Sequence, residues 1–268
     1  SKHSVPLIER SFRQLHNLKH ADCIWADSQT NADVLVAHGC NPDKISTLPL
    51  VVETPQAHAL QDKSSSPLEI VFVGRAVPAK GLLDGIEALG LAAAAGAPPA
   101  RLSIVGNLDF SDQTYVEKCQ ARADQLGLRA NVTFCGTADD DALQSLYHKA
   151  HALLIPTYHE GFCVPVIESL RAGCIPIGYQ AGNMSNIVNG LGCLVAPGDV
   201  KALGECLKQL LVGLDAALGD HESPHLPLDQ GSMSVRQFTE AAKSYVKNFS
   251  HANIEAETLQ HLSSAASL

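Results

Sequence analysis

Apolar positions fall into two rhythms along this chain. Short, mostly apolar runs at 68–73, 101–105, 131–134, 152–155, 174–178 and 192–195 have the length of buried strands. Between them lie longer stretches whose apolar residues recur every three or four positions. These predict helices over 80–95, 113–126, 141–150, 164–172, 183–189 and 200–211. Strands alternating with helices of this length argue for an α/β fold, a doubly wound, Rossmann-like parallel sheet from Leu68 onward. Ligands of such sheets bind outside the carboxyl ends of the strands, so the turns after each strand carry the chemistry.

The flanks read differently. An amphipathic helix is expected over 8–18, with Leu15 and Leu18 on one face, then a short strand at 21–26. A second helix carries Val34, Leu35 and Val36, capped by Ser28 or Asn31 and ended by Gly39. A strand over 45–50 closes the unit. Residues 54–67 hold Thr54-Pro55, three consecutive serines and Pro67, the composition of an exposed, hinge-like linker. Past the sheet, 214–232 lacks periodicity and is rich in Gly, Asp, His and Pro, so a mobile surface loop is expected. A helix over 235–249 aligns Phe238, Ala242 and Tyr245, and a last helix spans 251–262.

Composition narrows the classes. Nineteen Lys and Arg against 28 Asp and Glu give a net charge of −9, which offers no electrostatic reason to bind nucleic acid. No long uncharged apolar run suggests a membrane span, and the first residues hold no apolar signal core. Eight cysteines are scattered without a Cys-x-x-Cys pair, so a reduced, cytoplasmic chain is expected rather than a zinc or disulfide framework.

The turn after the first sheet strand is Gly74-Arg75-Ala76-Val77-Pro78-Ala79-Lys80-Gly81. Glycine there lets the backbone approach a ligand. Two cations bracket the turn, as a diphosphate needs when charge grows on it as a leaving group. Two cations flanking a loop are also common on surfaces, so the pattern gains weight only from a second one. That is His159-Glu160-Gly161-Phe162-Cys163-Val164-Pro165-Val166-Ile167-Glu168, which leaves the strand at 152–155 and enters a helix with Pro165 in its first turn. Eight helical steps separate the two glutamates by roughly 12 Å along the axis. Carboxylates so spaced can hold opposite ends of an elongated ligand, and the helix N-terminus between them favours an anion.

Other turns are less specific. Gly106, after the second strand, reads equally as a ligand-lining glycine and as a strand end. Asp139-Asp140-Asp141 reads as a helix cap ahead of Leu143, Leu146 and Tyr147 rather than as a metal-binding Asp-x-Asp. His159 either acts as a base or sugar-contacting donor, or only shapes its turn, with the second favoured. Cys163 has no evident activating base and is read as a small site-lining residue. Neither a Gly-x-x-x-x-Gly-Lys-Ser/Thr loop nor a Gly-x-Gly-x-x-Gly turn follows the first strand, so NTPase and NAD readings lack warrant.

Taken in order, Gly-Arg-x-x-x-x-Lys-Gly and Glu-Gly-Phe-x-x-Pro-x-x-Glu resemble the donor-site signatures of retaining, nucleotide-sugar-dependent glycosyltransferases with two Rossmann-like domains, the glycogen-synthase-like GT4 group of the GT-B fold. The resemblance covers about residues 21–250. It implies that Arg75 and Lys80, with Gly74, Cys163 and Val164, bind the donor diphosphate. Glu168 would hold the ribose, and Gly136 and Thr137 would lie beside the base. Glu160 would contact the transferred hexose, with His159, Gly161 and Phe162 nearby. The implied reaction moves a hexosyl group from GDP-mannose or a UDP-hexose to a glycan or lipid-linked acceptor with retention of configuration. Arg and Lys replace a metal, so no cofactor is expected. The implied organisation is a remnant of the acceptor-side N-terminal domain at 1–53, a linker at 54–67, the nucleotide-sugar domain at 68–250 and a crossover helix at 251–268. Most of the acceptor domain would be missing, and any membrane association would be peripheral. The chain departs from the family pattern at Cys163, Ala181 and Asn186, where glycine, glycine and glutamate are usual. Those departures leave open an alternative, a nucleotide-sugar-binding module inactive without its acceptor domain.

Overall fold

The computed structural model describes residues 16–52, 58–64, 66–107, 111–219 and 225–265. The chain forms two compact units, Ser1–Glu53 with Asn248–Leu268, and Thr54–Lys247. In the smaller unit, β1 (Ile24–Ala26) pairs in parallel with β2 (Ile45–Thr47), and α1 (Gln29–Ala37) connects them. Ser28 caps α1, its hydroxyl accepting from the Asn31 N–H at 3.2 Å. Of the helix expected over 8–18, only residues 16–18 lie within the described residues, and these are helical.

The larger unit runs β3 (Leu68–Val73), α2 (Leu82–Ala94), β4 (Ala100–Val105), α3 (Gln113–Gln125), β5 (Val132–Gly136), α4 (Asp140–Lys149), β6 (Ala152–Ile155), α5 (Val164–Arg171), β7 (Ile175–Tyr179), α6 (Met184–Val188), β8 (Cys193–Val195) and α7 (Val200–Leu218). Six strands form one parallel sheet in the order β5-β4-β3-β6-β7-β8. The chain builds outward from β3 to β5, then returns to lay β6 on the other side of β3, with Ile70 opposite Ala152. The order reverses between β3 and β6, so the crevice beyond their carboxyl ends is the ligand position of such a sheet. Both central strands are apolar and buried: Leu68, Ile70, Val71 and Phe72 on β3, and all four residues of β6. Helices cover both faces of a parallel sheet, which is why these strands show no polar alternation.

Three expectations give way. Helix α7 continues to Leu218, because the buried stripe Leu203, Leu207, Leu210, Leu211 and Leu214 extends its packing surface past Gly213. The expected mobile loop at 214–232 is therefore partly helix. It also contains an antiparallel hairpin of β9 (Leu226–Leu228) and β10 (Gly231–Met233), with Leu226 buried. Its strands are too short to show a periodicity. The hairpin covers the open edge of β8: the Asp229 N–H donates to Gly192 O at 2.9 Å, and the Asp229 carboxylate accepts from the Leu194 N–H at 3.1 Å. Of residues 58–64, expected to be exposed, Ala59 and Leu60 are buried instead, while Gln61, Asp62 and Ser64 stay exposed. Leu60 is 0 % exposed, and Lys63 Nζ donates to the Tyr147 carbonyl at 3.0 Å and to the Ala150 carbonyl, satisfying the end of α4. After the hairpin, α8 (Val235–Val246) buries Phe238, Thr239 and Ala242, while α9 (His251–Ala265) belongs to the smaller unit.

Candidate functional site

The loops after β3 and β6 meet across the reversal. Pro78–Lys80 forms a 3-10 turn, and Gly81 then caps α2 with φ +66°. A Cβ at Gly81 would lie 1.8 Å from the Pro156 carbonyl oxygen, so only glycine lets this turn press against the β6 loop. The Tyr158 N–H donates to Ala79 O at 2.9 Å, and Thr157 Oγ1 shares its one proton between the same oxygen at 3.3 Å and the His159 carbonyl. These contacts carry Lys80 onto Glu160, where Nζ and Oε1 form an ion pair. Glu160 is only 9 % exposed, and a carboxylate so buried needs a charged or hydrogen-bonding partner. The loop after β7 holds the other side. Gly182 has φ +57°, and a Cβ there would come within 2.3 Å of Glu160 O. The Asn183 N–H donates to that oxygen at 3.0 Å.

Helix α5 begins at Cys163, which takes the left-handed conformation with φ 70° and ψ 67°. For an L side chain this costs about 1–2 kcal/mol, which explains why glycine is the usual occupant in the resembling pattern. The side chain is buried, and burial pushes the thiol pKa up, so it stays protonated and is no nucleophile. Val164 and Pro165 form the first turn. One turn later Glu168 Oε2 accepts from the Tyr147 hydroxyl at 2.9 Å. Burial raises the Glu168 pKa, and the phenol bond opposes the rise. Tyr147 is 0 % exposed, and burial together with the Glu168 charge keeps its hydroxyl protonated as a donor.

The other residues singled out in the sequence take simpler places. Gly74 donates from N–H to Val105 O at 2.8 Å, and the Gly106 N–H donates to Gly136 O at 3.0 Å, so the ends of β3, β4 and β5 lie side by side. Leu108 and Asp109 fall outside the described residues. Arg75 is exposed and forms no ion pair among the described residues, so the structure does not bring it onto Glu160 as it does Lys80. Thr137 and His159 are exposed, Gly161 half-buried and Phe162 buried. His159 is held through its backbone: Thr157 Oγ1 donates to its carbonyl at 3.1 Å. The Asp139 carboxylate accepts from the Ala142 N–H at 2.8 Å and caps α4, with Asp140 and Asp141 in the first turn. Among the described residues no group of three His, Cys, Asp or Glu is placed to hold a metal ion. Nor is any described helix long and apolar enough to cross a membrane. Sequence reasoning missed Tyr147 as a partner of Glu168 and Asn183 as a partner of Glu160. Tyr147 reads as one more apolar position of its helix stripe, and nothing local announces where its hydroxyl goes.

A family model described as glycosyl transferases group 1 matches residues 54–214. The MMP alpha-(1->4)-mannosyltransferase of Mycolicibacterium hassiacum is 27 % identical over 213 residues, covering 77 % of this chain and 48 % of that protein. A D-inositol 3-phosphate glycosyltransferase of Acidothermus cellulolyticus is 28 % identical over 180 residues, covering 63 % of this chain and 40 % of that protein. The chain thus spans about half or less of the length of these relatives. Among solved structures, the sucrose-phosphate synthase of Thermosynechococcus elongatus superposes with a TM-score of 0.73 at 20 % identity, over 97 % of this chain and 62 % of the other. Anabaena Alr3699/HepE in complex with UDP and glucose does so with a TM-score of 0.69 at 18 % identity, over 94 % and 67 %. These likenesses establish the shared fold. With the family model covering well over half of its length, including both charged turns and the whole of the helix after Glu160, the chain belongs to the group 1 glycosyltransferases.

Proposed function

We propose that this chain carries the donor site of a hexosyltransferase that uses a nucleotide-diphospho-sugar. The observation that carries the reading is the Lys80–Glu160 pair, held by backbone bonds across the sheet reversal with Glu168 one helix turn inside α5. Arg75 and Lys80 bind the diphosphate and neutralise the charge that grows on it as the glycosyl bond breaks. Gly74, Cys163 and Val164 give the phosphates backbone at close range, and the α5 N-terminus adds its free N–H groups. Glu168 accepts from the ribose hydroxyls while Tyr147 fixes its rotamer. Gly136 and Thr137 flank the base. Glu160 accepts from hexose hydroxyls and orients an oxocarbenium-like transition state, with His159, Gly161 and Phe162 beside it. The acceptor, a glycan or lipid-linked sugar, attacks from the face the diphosphate leaves, so configuration is retained. A relative named as a mannosyltransferase and a fold neighbour in complex with UDP and glucose keep GDP-mannose and a UDP-hexose both in the reading.

Calorimetric titration of the chain with UDP, GDP and ADP, without added metal, tests this. One of the three is expected to bind. Arg75→Ala and Glu168→Ala should each weaken it by tenfold or more, since a hydrogen bond to a charged group is worth roughly 1.5–3 kcal/mol. No binding by any of them, or unchanged binding by both variants, would defeat the assignment. A second reading, a module that binds a nucleotide sugar without turnover, is favoured by Asn186. Where the family pattern has a glutamate, its amide donates to Asn183 Oδ1 at 3.0 Å and it carries no charge. Donor turnover after addition of an acceptor-side domain would decide against it.

A further inference from the structure

Asp84 lies in the first turn of α2, just beyond Lys80 and Gly81. Its Oδ2 accepts two phenol hydrogen bonds, from the Tyr158 hydroxyl at 2.5 Å and the Tyr179 hydroxyl at 2.9 Å. The two rings meet edge to face with centroids 5.3 Å apart. One carboxylate oxygen therefore ties three segments together. The first is the helix start that follows Lys80. The second is the β6 loop, where Tyr158 stands two residues before Glu160 and bonds Ala79 through its own N–H. The third is the last residue of β7, three positions before Gly182, which presses on the Glu160 carbonyl. These are the same three segments that set the position of Lys80 and Glu160.

The chemistry of the cluster favours a fixed geometry. Tyr179 is 0 % exposed, so its hydroxyl must find a partner inside the protein. A helix N-terminus favours a carboxylate, and O–H···O⁻ bonds are about twice as strong as neutral ones. The Asp84 bond raises the Tyr158 pKa, and burial followed by Asp84 raises that of Tyr179, so both remain donors through the neutral range.

We propose that Asp84, Tyr158 and Tyr179 are positioning residues that hold the Lys80 turn and the Glu160 turn in register, so that the diphosphate meets a preset Lys80. The proposal rests on the donor-site reading above. The trio acts through Lys80 and Glu160. Loosening it lets the two turns drift, and displacements of about 1 Å in such sites cost large factors in binding or rate.

The test uses the full chain with Tyr158→Phe and Tyr179→Phe combined, which keeps both rings and removes both donors. It is titrated with UDP and GDP, and with uridine and guanosine. The diphosphate that the unaltered chain binds is expected to bind the double variant about tenfold more weakly, while its nucleoside binds both equally. In a Lys80→Met background the same pair of changes should alter diphosphate affinity less than twofold, because the group they position is gone. Equal diphosphate affinity with and without the phenols overturns the positioning role and leaves the donor site standing. A parallel loss for nucleoside and diphosphate also overturns it, since that is general loosening. An unaltered chain that binds neither of these diphosphates, nor ADP, overturns the donor-site reading, and the positioning role with it. Should the double variant not fold, Asp84→Asn repeats the comparison with the same selective loss expected.

Discussion

Lys80 meets the Glu160 carboxylate directly, and that pairing has a cost for a diphosphate. In the proposed site a nucleoside diphosphate must draw Lys80 away from Glu160 and tolerate the nearby negative charge. Glu160→Gln should therefore bind the free diphosphate more tightly, by about three- to tenfold for a part-buried pair, while abolishing sugar transfer. Weaker diphosphate binding by the Gln variant in calorimetry would show that Glu160 assists the phosphates instead. Residues of this kind were legible in the sequence, because a glycine-bounded turn with two cations and two glutamates eight positions apart are one-dimensional patterns. Tyr147, Asn183 and Asp84 were not. Each reaches its partner through a side chain or amide that only the assembled sheet brings near, and Tyr147 and Glu168 stand 21 positions apart in the chain.

At the scale of elements, the segment 58–64 and helix α4 form a unit that composition concealed. Serine and proline around it suggested an open linker, yet Ala59 and Leu60 are buried and His58 stacks on His148 with centroids 3.6 Å apart. His148 Nε2 is buried without a hydrogen-bond partner among the described residues. Burial lowers the His148 pKa from 6.5, and His58 and Lys63 add to the effect. His151 is lowered in the same direction, chiefly by burial, with Nδ1 accepting from the Glu69 N–H and Nε2 donating to Ser64 O. A histidine whose folded pKa lies below its unfolded one gives stability that is full above the unfolded value. That stability is lost as pH falls from about 6.5 through the lower folded value. His148→Phe keeps the ring stack and removes both the orphaned nitrogen and its titration. It should stabilise the chain by about 1 kcal/mol at pH 7.5 and by more at pH 5.5 in urea unfolding. A gain that does not grow on acidification would exclude His148 as the titrating group. The length of α7 was misread for a related reason: Gly213 looks like an ending, but the leucine stripe on α7 continues past it to Leu214.

At the scale of the whole molecule, alternating strands and helices made the parallel sheet and its ligand-bearing edge legible, since each strand's apolar run is bounded by turns. The strand order was a matter of topology rather than pattern, and the hairpin over β8 was too short to leave a trace. That order has a temporal meaning. Synthesis runs from the N-terminus, so β3, β4 and β5 emerge before β6 exists. Until β6 arrives, β3 is an edge strand with its apolar residues and one row of backbone groups unpaired. A polypeptide ending at residue 150 should accordingly scatter light as aggregates at micromolar concentration, whereas a monodisperse product would show that the edge is guarded in some other way. The strand that completes the sheet's middle is followed, five residues on, by Glu160. The nascent chain therefore carries Lys80 as an unmated cation while the next 80 residues are made, and the arrival of one short strand closes the most vulnerable seam of the sheet just ahead of the charge that mates with Lys80.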